Sequence, residues 1–272
     1  HGIGRRQRQM CIRDRSTTND RLLIGDDEHG WDDNGIFNFE GGCYAKTISL
    51  SKEKEPEIFN AIKPNALLEN ISYDVSYCPN YENSEKTQNG RVSYGLNNLT
   101  TYYTPQIAAH PKTIIFLTCD AFGVLPPVSR LTNDQAIYHF LAGYTAKIAG
   151  TERGIKEPVA TFSSCFGEAF LSLHPHIYAD LLKEKLNIHK PNVWLVNTGW
   201  IGGKYGVGER IPLEVSRKCV KAILNNTITD YTKYVYFDLT IPTKIDGIDS
   251  HLLNPEYMWK YKLEFLSTVN PV

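Results

Sequence analysis

The stretch from Leu22 to Trp31 constrains the fold most, because a short apolar run changes there to a dense acidic cluster. Leu22–Ile24 is apolar and Gly25 ends the run, a pattern that favours a short buried strand. The next four residues are Asp26, Asp27, Glu28 and His29. In open α/β sheets, ligands bind just past the carboxyl ends of the strands. The pattern therefore places a candidate binding site directly after residue 24.

Adjacent carboxylates such as Asp26 and Asp27 repel each other. A divalent cation relieves that repulsion, and carboxylate and phosphate oxygens suit Mg²⁺ or Mn²⁺. The acidic cluster is therefore a candidate metal site for phosphoryl transfer. A solvated acidic turn remains the alternative that these residues alone also allow.

Strand and helix patterns alternate along the rest of the chain. Runs of apolar and β-branched residues predict strands at Thr113–Thr118 and Val193–Val196. Shorter patterns predict strands at Ile36–Phe39 and Ala66–Tyr73. Apolar residues at helical spacing predict helices at Glu53–Ile62, from Thr132 through Tyr144, at Pro175–Leu186 and at Val215–Leu224. These alternating elements predict an α/β fold.

Composition excludes several classes of function. The chain has 272 residues and a formal net charge of −1, without a sustained basic stripe, which argues against a nucleic acid as the main partner. No apolar run approaches the ~18 residues of a membrane span. The six cysteines are scattered without a C-x-x-C pair, which indicates free thiols in a reducing compartment and therefore the cytoplasm.

Residues 1–15, HGIGRRQRQMCIRDR, differ from the rest of the chain. They are rich in arginine and lack helical or strand periodicity. An Arg cluster can be a nuclear or nucleic-acid signal, whereas a mitochondrial transit peptide would be longer and richer in serine. We interpret the segment as a translated cloning or sequencing artefact joined to a truncated gene, and we exclude it from the fold prediction.

Three motifs occur in an order typical of one family. They are LIGDDEHGWDDNGIFNFEGGCYAKTI (Leu23–Ile48), FLTCDAFGVLPPVSRL (Phe116–Leu131) and GTERG (Gly150–Gly154). With them the chain, from about Ser16 to its end, resembles the ATP-dependent phosphoenolpyruvate carboxykinases. The resemblance implies that residues 16–272 are the mixed-sheet, mononucleotide-binding C-terminal domain of that fold, truncated at both ends. In that family a G-x-x-x-x-G-K-T phosphate loop precedes the acidic stretch, and no such sequence occurs here.

The resemblance also implies roles for single residues. Asp27 would ligate Mn²⁺, and Asp26 would orient waters on the Mg²⁺ of the nucleotide. Lys46 and Arg91 would neutralise the phosphates. The residues that would hold the nucleoside are Glu55, Arg210, Ile211 and Ser216, the last in place of a threonine. The family's other metal ligands, a lysine and a histidine, and its substrate-binding arginine would lie upstream.

Without the resemblance these residues have ordinary interpretations. Lys46 would be an exposed lysine, and Arg91 would be a surface salt-bridge partner. Glu55 lies near the start of a predicted helix, where a carboxylate meets the positive end of the helix dipole. The loop Asn197–Ile211 is rich in glycine but lacks both G-x-G-x-x-G and the G-K-[ST] ending, so it is not a phosphate loop.

The implied activity is that of a carboxy-lyase of gluconeogenesis. Oxaloacetate and ATP become phosphoenolpyruvate, ADP and CO₂, and the enzyme acts in the cytoplasm as a monomer without a nucleic-acid or membrane partner. This fragment alone is expected to be inactive. Two alternatives are a kinase of related architecture with another substrate and a non-catalytic nucleotide-binding fragment.

Overall fold

The computed structural model describes residues 21–53, 55–83, 89–147 and 157–270. Among these, the chain forms two compact units. Residues 21–111 belong to the amino-terminal unit, and residues 112–147 and 157–270 belong to the carboxy-terminal unit. The motif Gly150–Gly154 and the segment 1–15 lie outside the described residues.

The amino-terminal unit contains eight strands and one helix in its described part. The strands are β1 (His29–Trp31), β2 (Ile36–Asn38), β3 (Gly42–Lys46), β4 (Leu67–Glu69), β5 (Ser72–Tyr73), β6 (Pro79–Asn80), β7 (Arg91–Gly95) and β8 (Ile107–Ala108). The helix is α1 (Pro56–Ala61).

The carboxy-terminal unit contains nine strands and five helices in its described part. The strands are β9 (Thr113–Thr118), β10 (Val128–Leu131), β11 (Tyr144–Lys147), β12 (Val159–Phe162), β13 (Asn192–Asn197), β14 (Trp200–Ile201), β15 (Glu209–Arg210), β16 (Tyr231–Tyr234) and β17 (Leu239–Pro242). The helices are α2 (Asn133–Ala142), α3 (Pro175–His189), α4 (Leu213–Leu224), α5 (Pro255–Met258) and α6 (Lys262–Val269). None of the described helices is long and apolar enough to cross a membrane.

A five-stranded mixed sheet organises the carboxy-terminal unit, in the order β16-β17-β10-β13-β9. Strands β13 and β9 are parallel, with Asn192 opposite Thr113 and Asn197 opposite Thr118. The other three pairings are antiparallel. The predicted α/β class is confirmed, and the parallel pair brings the loops that follow β9 and β13 to one edge of the sheet.

Both faces of this sheet are covered, as the apolar run in β13 requires. Val193 and Leu195 point to one face, where they join a core with residues of α2, α3 and α6. Trp194 and Val196 point to the other face and pack with residues of α4. Because successive side chains of a strand alternate between faces, a continuous apolar run fills both cores.

Helix α2 begins with a capping box. Thr132 accepts a hydrogen bond from the amide of Gln135, and the Gln135 side chain accepts one from the amide of Thr132. The helix ends at Gly143, which has left-handed backbone dihedrals (φ 52°, ψ 37°). The predicted extension through Tyr144 is therefore wrong, because the left-handed residue turns the chain into strand β11.

Helix α1 begins later than predicted. Pro56 is its first residue, a position that tolerates a proline because the amide there has no helical partner in any case. The predicted start at Glu53 is therefore three residues too early, and Glu55 is the N-cap. The other helices extend the predictions: α3 runs to His189, and α4 starts at Leu213.

The amino-terminal unit is built around the antiparallel sheet β3-β7-β4. Ala45 of β3, Val92 and Tyr94 of β7 and Ile58 of α1 belong to one buried cluster. Two predicted strands fail in this unit. Leu22–Ile24 forms only one bridge, between Leu23 and Tyr102, with two backbone hydrogen bonds made by Leu23.

The second failure is Ala66–Tyr73, which is not one strand. Asn70 has a φ of 59°, in the left-handed region that asparagine tolerates better than most residues. The chain therefore turns there, so that β4 pairs with β7 and β5 pairs with β6.

Candidate functional site

The acidic segment of the amino-terminal unit follows a tightly anchored residue. The Leu23 amide donates to the carbonyl of Thr101 at 2.7 Å, and the Leu23 carbonyl accepts from Tyr103 at 2.9 Å. Gly25 comes next, and a Cβ atom there would lie 2.5 Å from Cγ of Asn38. Any other residue at this position would therefore displace the Asn38 side chain of β2.

Asp26 and Asp27 differ in exposure. Asp26 is 8% exposed, whereas Asp27 is partly exposed. The carbonyl of Asp27 lies 3.1 Å from Nδ1 of His29. In the described ranges, no three His, Cys, Asp or Glu side chains are grouped to share a metal ion. The two carboxylates fit as part of a ligand set for a hard cation.

Lys46 and Arg91 are directly opposite each other on the antiparallel strands β3 and β7. Opposite residues of such a pair project from the same face of the sheet. The structure therefore brings together the two residues that were predicted to neutralise phosphates. On its other side Arg91 lies opposite Glu69 of β4, whose carboxylate offsets part of the repulsion between the two cations.

Arg91 is 1% exposed, so the interpretation as a surface salt-bridge partner is wrong. Its Nε donates to Oδ1 of Asn89 at 3.2 Å, and its guanidinium carbon lies 5.6 Å from the centre of the Tyr44 ring. A buried guanidinium needs such contacts because its desolvation is costly. The contacts also fix its orientation on β7. Glu55, in the same unit, is partly exposed at the start of α1.

In the carboxy-terminal unit, the side chain of Asn197 joins the loops that follow β9 and β13. Its Oδ1 accepts from the amides of Asp120 (3.0 Å) and Gly199 (2.8 Å). Its Nδ2 donates to the carbonyl of Leu125 at 2.9 Å. One carboxamide thus fixes both loops at the carboxyl edge of the sheet.

Asp120 is completely buried and organises its own loop. One carboxylate oxygen accepts from the amide of Phe122 and from the Tyr144 hydroxyl, at 2.9 and 3.0 Å. The other accepts from the amides of Val124 and Leu125, at 2.7 and 2.8 Å. A buried carboxylate with four donors is well satisfied.

The partly buried Tyr144 and the buried Tyr234 act here as neutral donors. Burial raises the pKa of Tyr144, and the negative charge of Asp120 raises it further. Burial also raises the pKa of Tyr234, whose hydroxyl donates to the carbonyl of Val124 at 2.7 Å. Both hydroxyls therefore keep their protons at neutral pH and serve the loop as hydrogen-bond donors.

Arg210 and Ile211 lie at the end of a short hairpin in which Trp200 pairs with Arg210. Nε of Arg210 donates to the carbonyl of Thr198 at 3.2 Å, and the guanidinium carbon lies 5.9 Å from the centre of the Trp200 ring. The amide of Ile211 donates to the carbonyl of Gly199 at 2.8 Å. Arg210 is exposed, and Ile211 is buried.

Ser216 lies in α4 shortly after this hairpin, and it is 1% exposed. Its hydroxyl has no hydrogen-bond partner within the described part of the chain. A buried polar group without a partner costs free energy, so its presence calls for an explanation. A ligand that reaches this hydroxyl would provide one.

Sequence reasoning assigned no role to Asp120, Asn197, Tyr144 or Trp200. An aspartate just past a β-branched strand was visible as a signal, and so was an asparagine at the end of the next apolar strand. The hydrogen bonds between them were not visible, because the partners lie 77 residues apart in sequence.

Together these features define a class of protein. A mixed α/β sheet, an acidic bend with a buried carboxylate and a lysine–arginine pair on adjacent strands are typical of proteins that bind phosphorylated ligands with a divalent cation.

Relatives identify the family. Residues 15–251 match the family model of phosphoenolpyruvate carboxykinase in its ATP form. The phosphoenolpyruvate carboxykinase (ATP) of Campylobacter jejuni subsp. jejuni serotype O:2 is 56% identical over 255 residues, which cover 93% of this chain and 49% of that protein. Those of Sulfurimonas denitrificans and Leptospira biflexa are 55% and 54% identical. The chain belongs to the ATP-dependent phosphoenolpyruvate carboxykinase family, and it spans about half the length of these curated relatives.

Proposed function

We propose that this chain is the nucleotide- and metal-binding part of an ATP-dependent phosphoenolpyruvate carboxykinase, its mononucleotide-binding C-terminal domain. The complete enzyme would convert oxaloacetate and ATP to phosphoenolpyruvate, ADP and CO₂. The observation that carries the proposal is the pairing of Lys46 with the buried Arg91. The carboxykinase names of the relatives give this phosphate chemistry its substrate.

The lysine–arginine pair suits the phosphate groups of ATP. Arg91 presents a planar fork that matches phosphate oxygens, and Lys46 adds a compact point charge. Phosphoryl transfer leaves little covalent work for the protein, so positioning and charge neutralisation dominate catalysis. Because the contacts of Arg91 already fix its orientation, little order is lost when a phosphate binds.

The two adjacent aspartates suit divalent cations. We propose that Asp27 ligates Mn²⁺ and that Asp26 orients waters on the Mg²⁺ of the nucleotide. A bound cation would stabilise the negative charge that develops on oxygen during the reaction. The low exposure of Asp26 supports a fixed carboxylate at this position.

The nucleoside would be held by Glu55, Arg210, Ile211 and Ser216. Arg210 supports this role because it is exposed while its Nε is anchored to a backbone carbonyl. The buried Ser216 hydroxyl supports it less directly, since a ligand would have to reach a covered atom. Each of these assignments is testable by nucleotide binding to single variants.

In the complete enzyme, loss of CO₂ from oxaloacetate leaves an enolate oxygen that attacks the γ-phosphoryl group, and ADP leaves. The residues of this chain would orient the phosphoryl group and neutralise its charge. The chain alone is expected to make no phosphoenolpyruvate, because its sequence contains no G-x-x-x-x-G-K-T loop to hold the phosphates. We further propose a cytoplasmic, monomeric enzyme of gluconeogenesis.

To test the proposal, residues 16–272 are joined to the part of the Campylobacter jejuni relative that the match does not cover, which gives a chimeric enzyme. The chimera is expected to form phosphoenolpyruvate only when both ATP and oxaloacetate are present. Arg91→Ala should lower the rate by about 100-fold or more, by analogy with other charge-stabilising groups. Arg130→Ala, which removes an exposed arginine, is the matched control.

Other outcomes would support the alternatives. ATP consumption that requires an acceptor other than oxaloacetate, with transfer of the γ-phosphoryl group to that acceptor, would indicate a kinase with another substrate. A folded chimera without any ATP-dependent reaction would indicate a non-catalytic binding fragment. Either result would contradict the proposal.

A further inference from the structure

We propose that Asn197, together with Asp120, is a positioning residue for the nucleoside end of the proposed site. This inference rests on the proposed nucleotide-binding function. Neither side chain would touch the nucleotide. Instead, the pair would fix the backbone carbonyls that orient Arg210 and Ile211.

The side chain of Asn197 links the loops that follow β9 and β13. The Asn197 carboxamide makes three hydrogen bonds, to the backbones of Asp120, Leu125 and Gly199. All three partners belong to the loops after β9 and β13. A carboxamide that only completed the core would not be expected to direct every bond to these two loops.

The loop after β9 is held by the hydrogen bonds of Asp120. The carboxylate of Asp120 accepts three backbone amides and one hydroxyl. The carbonyl of Asp120 accepts the amide of Trp200 at 2.8 Å. Asp120 therefore places Trp200, whose ring lies beside the guanidinium of Arg210.

The backbone of Thr198 and Gly199 connects these loops to Arg210 and Ile211, the proposed nucleoside contacts. Thr198 is tied to the carbonyl of Thr118 by its amide (2.9 Å) and by its hydroxyl (3.0 Å). The Thr198 carbonyl accepts Nε of Arg210, and the Gly199 carbonyl accepts the amide of Ile211.

The backbone at Gly199 also lies very close to the backbone of Asp120. A Cβ atom at this residue would lie 2.1 Å from the carbonyl oxygen of Asp120, so glycine is required there. The two proposed nucleoside contacts thus depend on the backbone segment that Asn197 and Asp120 fix.

A purely structural role for Asn197 would lower stability without a specific effect on nucleotide binding. The matched control is Val193→Ala, because Val193 is a buried residue at the opposite end of the same strand. Its truncation should lower the melting temperature but leave the loops intact. If Asn197→Ala and Val193→Ala lower the melting temperature equally, a weaker nucleotide affinity in Asn197→Ala alone indicates a positioning role.

The experiment uses the 272-residue chain and has two readouts. Hydrogen exchange is measured at the amides of Trp200 and Ile211, and the Kd for Mg-ADP is measured by calorimetry. Asn197→Ala should accelerate exchange at both amides and raise the Kd, each by about tenfold, the effect of losing one ordering hydrogen bond. Val193→Ala should leave both within about twofold of wild type.

Thr198→Val keeps the shape of its residue but removes the hydroxyl bond to Thr118. It should change both readouts in the same direction as Asn197→Ala, and it decides the case if that variant does not fold. Unchanged exchange or unchanged Kd, in a series where Arg210→Ala weakens ADP binding, would overturn the inference and leave the proposed function standing. Failure of wild type to bind ADP, or full binding by Arg210→Ala, would refute the nucleoside site and the inference together.

Discussion

Replacement of Asp120 by alanine should be among the most destabilising changes in the carboxy-terminal unit. The carboxylate is fully buried and accepts four hydrogen bonds. Alanine leaves the amides of Val124 and Leu125 without this acceptor, and both are buried. The perturbation is therefore a loss of acceptors inside a closed loop, with only a small loss of apolar contact.

The magnitude follows from those two amides. A buried donor without an acceptor costs ~1–3 kcal/mol, so the pair costs about 2–6 kcal/mol. Removing a buried charge recovers part of its desolvation cost, and we expect a net loss of about 3 kcal/mol. Asp120→Asn keeps one acceptor oxygen, and the Tyr144 hydroxyl can rotate to accept from the new amide. Its expected loss is about 1–2 kcal/mol.

Urea unfolding of the three proteins measures these differences. The midpoint should fall in the order wild type, Asp120→Asn, Asp120→Ala, at an unchanged slope. Glu214→Ala is the control, because Glu214 is an exposed glutamate in a surface ion pair with Lys218, for which a loss below ~1 kcal/mol is expected. A loss for Asp120→Ala no larger than that of the control would refute the reasoning.

Three further predictions concern single residues. In the chimera, Asp27→Asn should lower kcat by raising the activation free energy by several kcal/mol, a far larger effect than its weakening of ATP binding. Asp26→Asn should weaken Mg-nucleotide binding. An Asp27→Asn rate that matches wild type across a Mn²⁺ titration would contradict this prediction. Ser216→Ala should leave the melting temperature unchanged or raise it, because the lost hydroxyl has no partner among the described residues, and a fall above about 1 kcal/mol in stability would argue for a hidden partner. The folded-state pKa of Tyr144 is raised above 10.0, so the unfolded chain ionises first, and the stability that this tyrosine contributes is present below pH 10 and lost as the pH rises beyond it. Tyr144→Phe should therefore flatten the loss of stability above pH 10, and an unchanged slope in alkaline unfolding curves would refute that assignment.

Local patterns predicted β9, β13 and helices α2, α3 and α4 of the carboxy-terminal unit, but not the other strands and helices of its described part. The apolar run of Val193–Val196 predicted a strand, and apolar residues at helical spacing predicted a helix from Thr132. Both signals lie within a few residues of one another and depend on backbone geometry that the residues impose themselves. The acidic cluster at Asp26 and Asp27 was identified from the residues alone, and the resemblance to a family supplied the other site residues.

Tertiary features were harder to predict. The end of α2 depends on the left-handed conformation of Gly143, and the break in Ala66–Tyr73 depends on that of Asn70. The pairing of Lys46 with Arg91 depends on the register of two strands 45 residues apart, which periodicity does not encode. The hydrogen bonds between Asp120 and Asn197 depend likewise on which strands are neighbours in the sheet.

The central claim is that Lys46 and Arg91 bind the phosphates of a nucleotide. The most direct measurement is an amide NMR titration of the 272-residue chain with Mg-ADP, compared with Mg²⁺ alone. The amides of Lys46 and Arg91 should shift with the nucleotide and saturate, and Arg91→Ala should abolish the shift at Lys46. A titration that leaves both amides unmoved up to millimolar ADP would contradict the account.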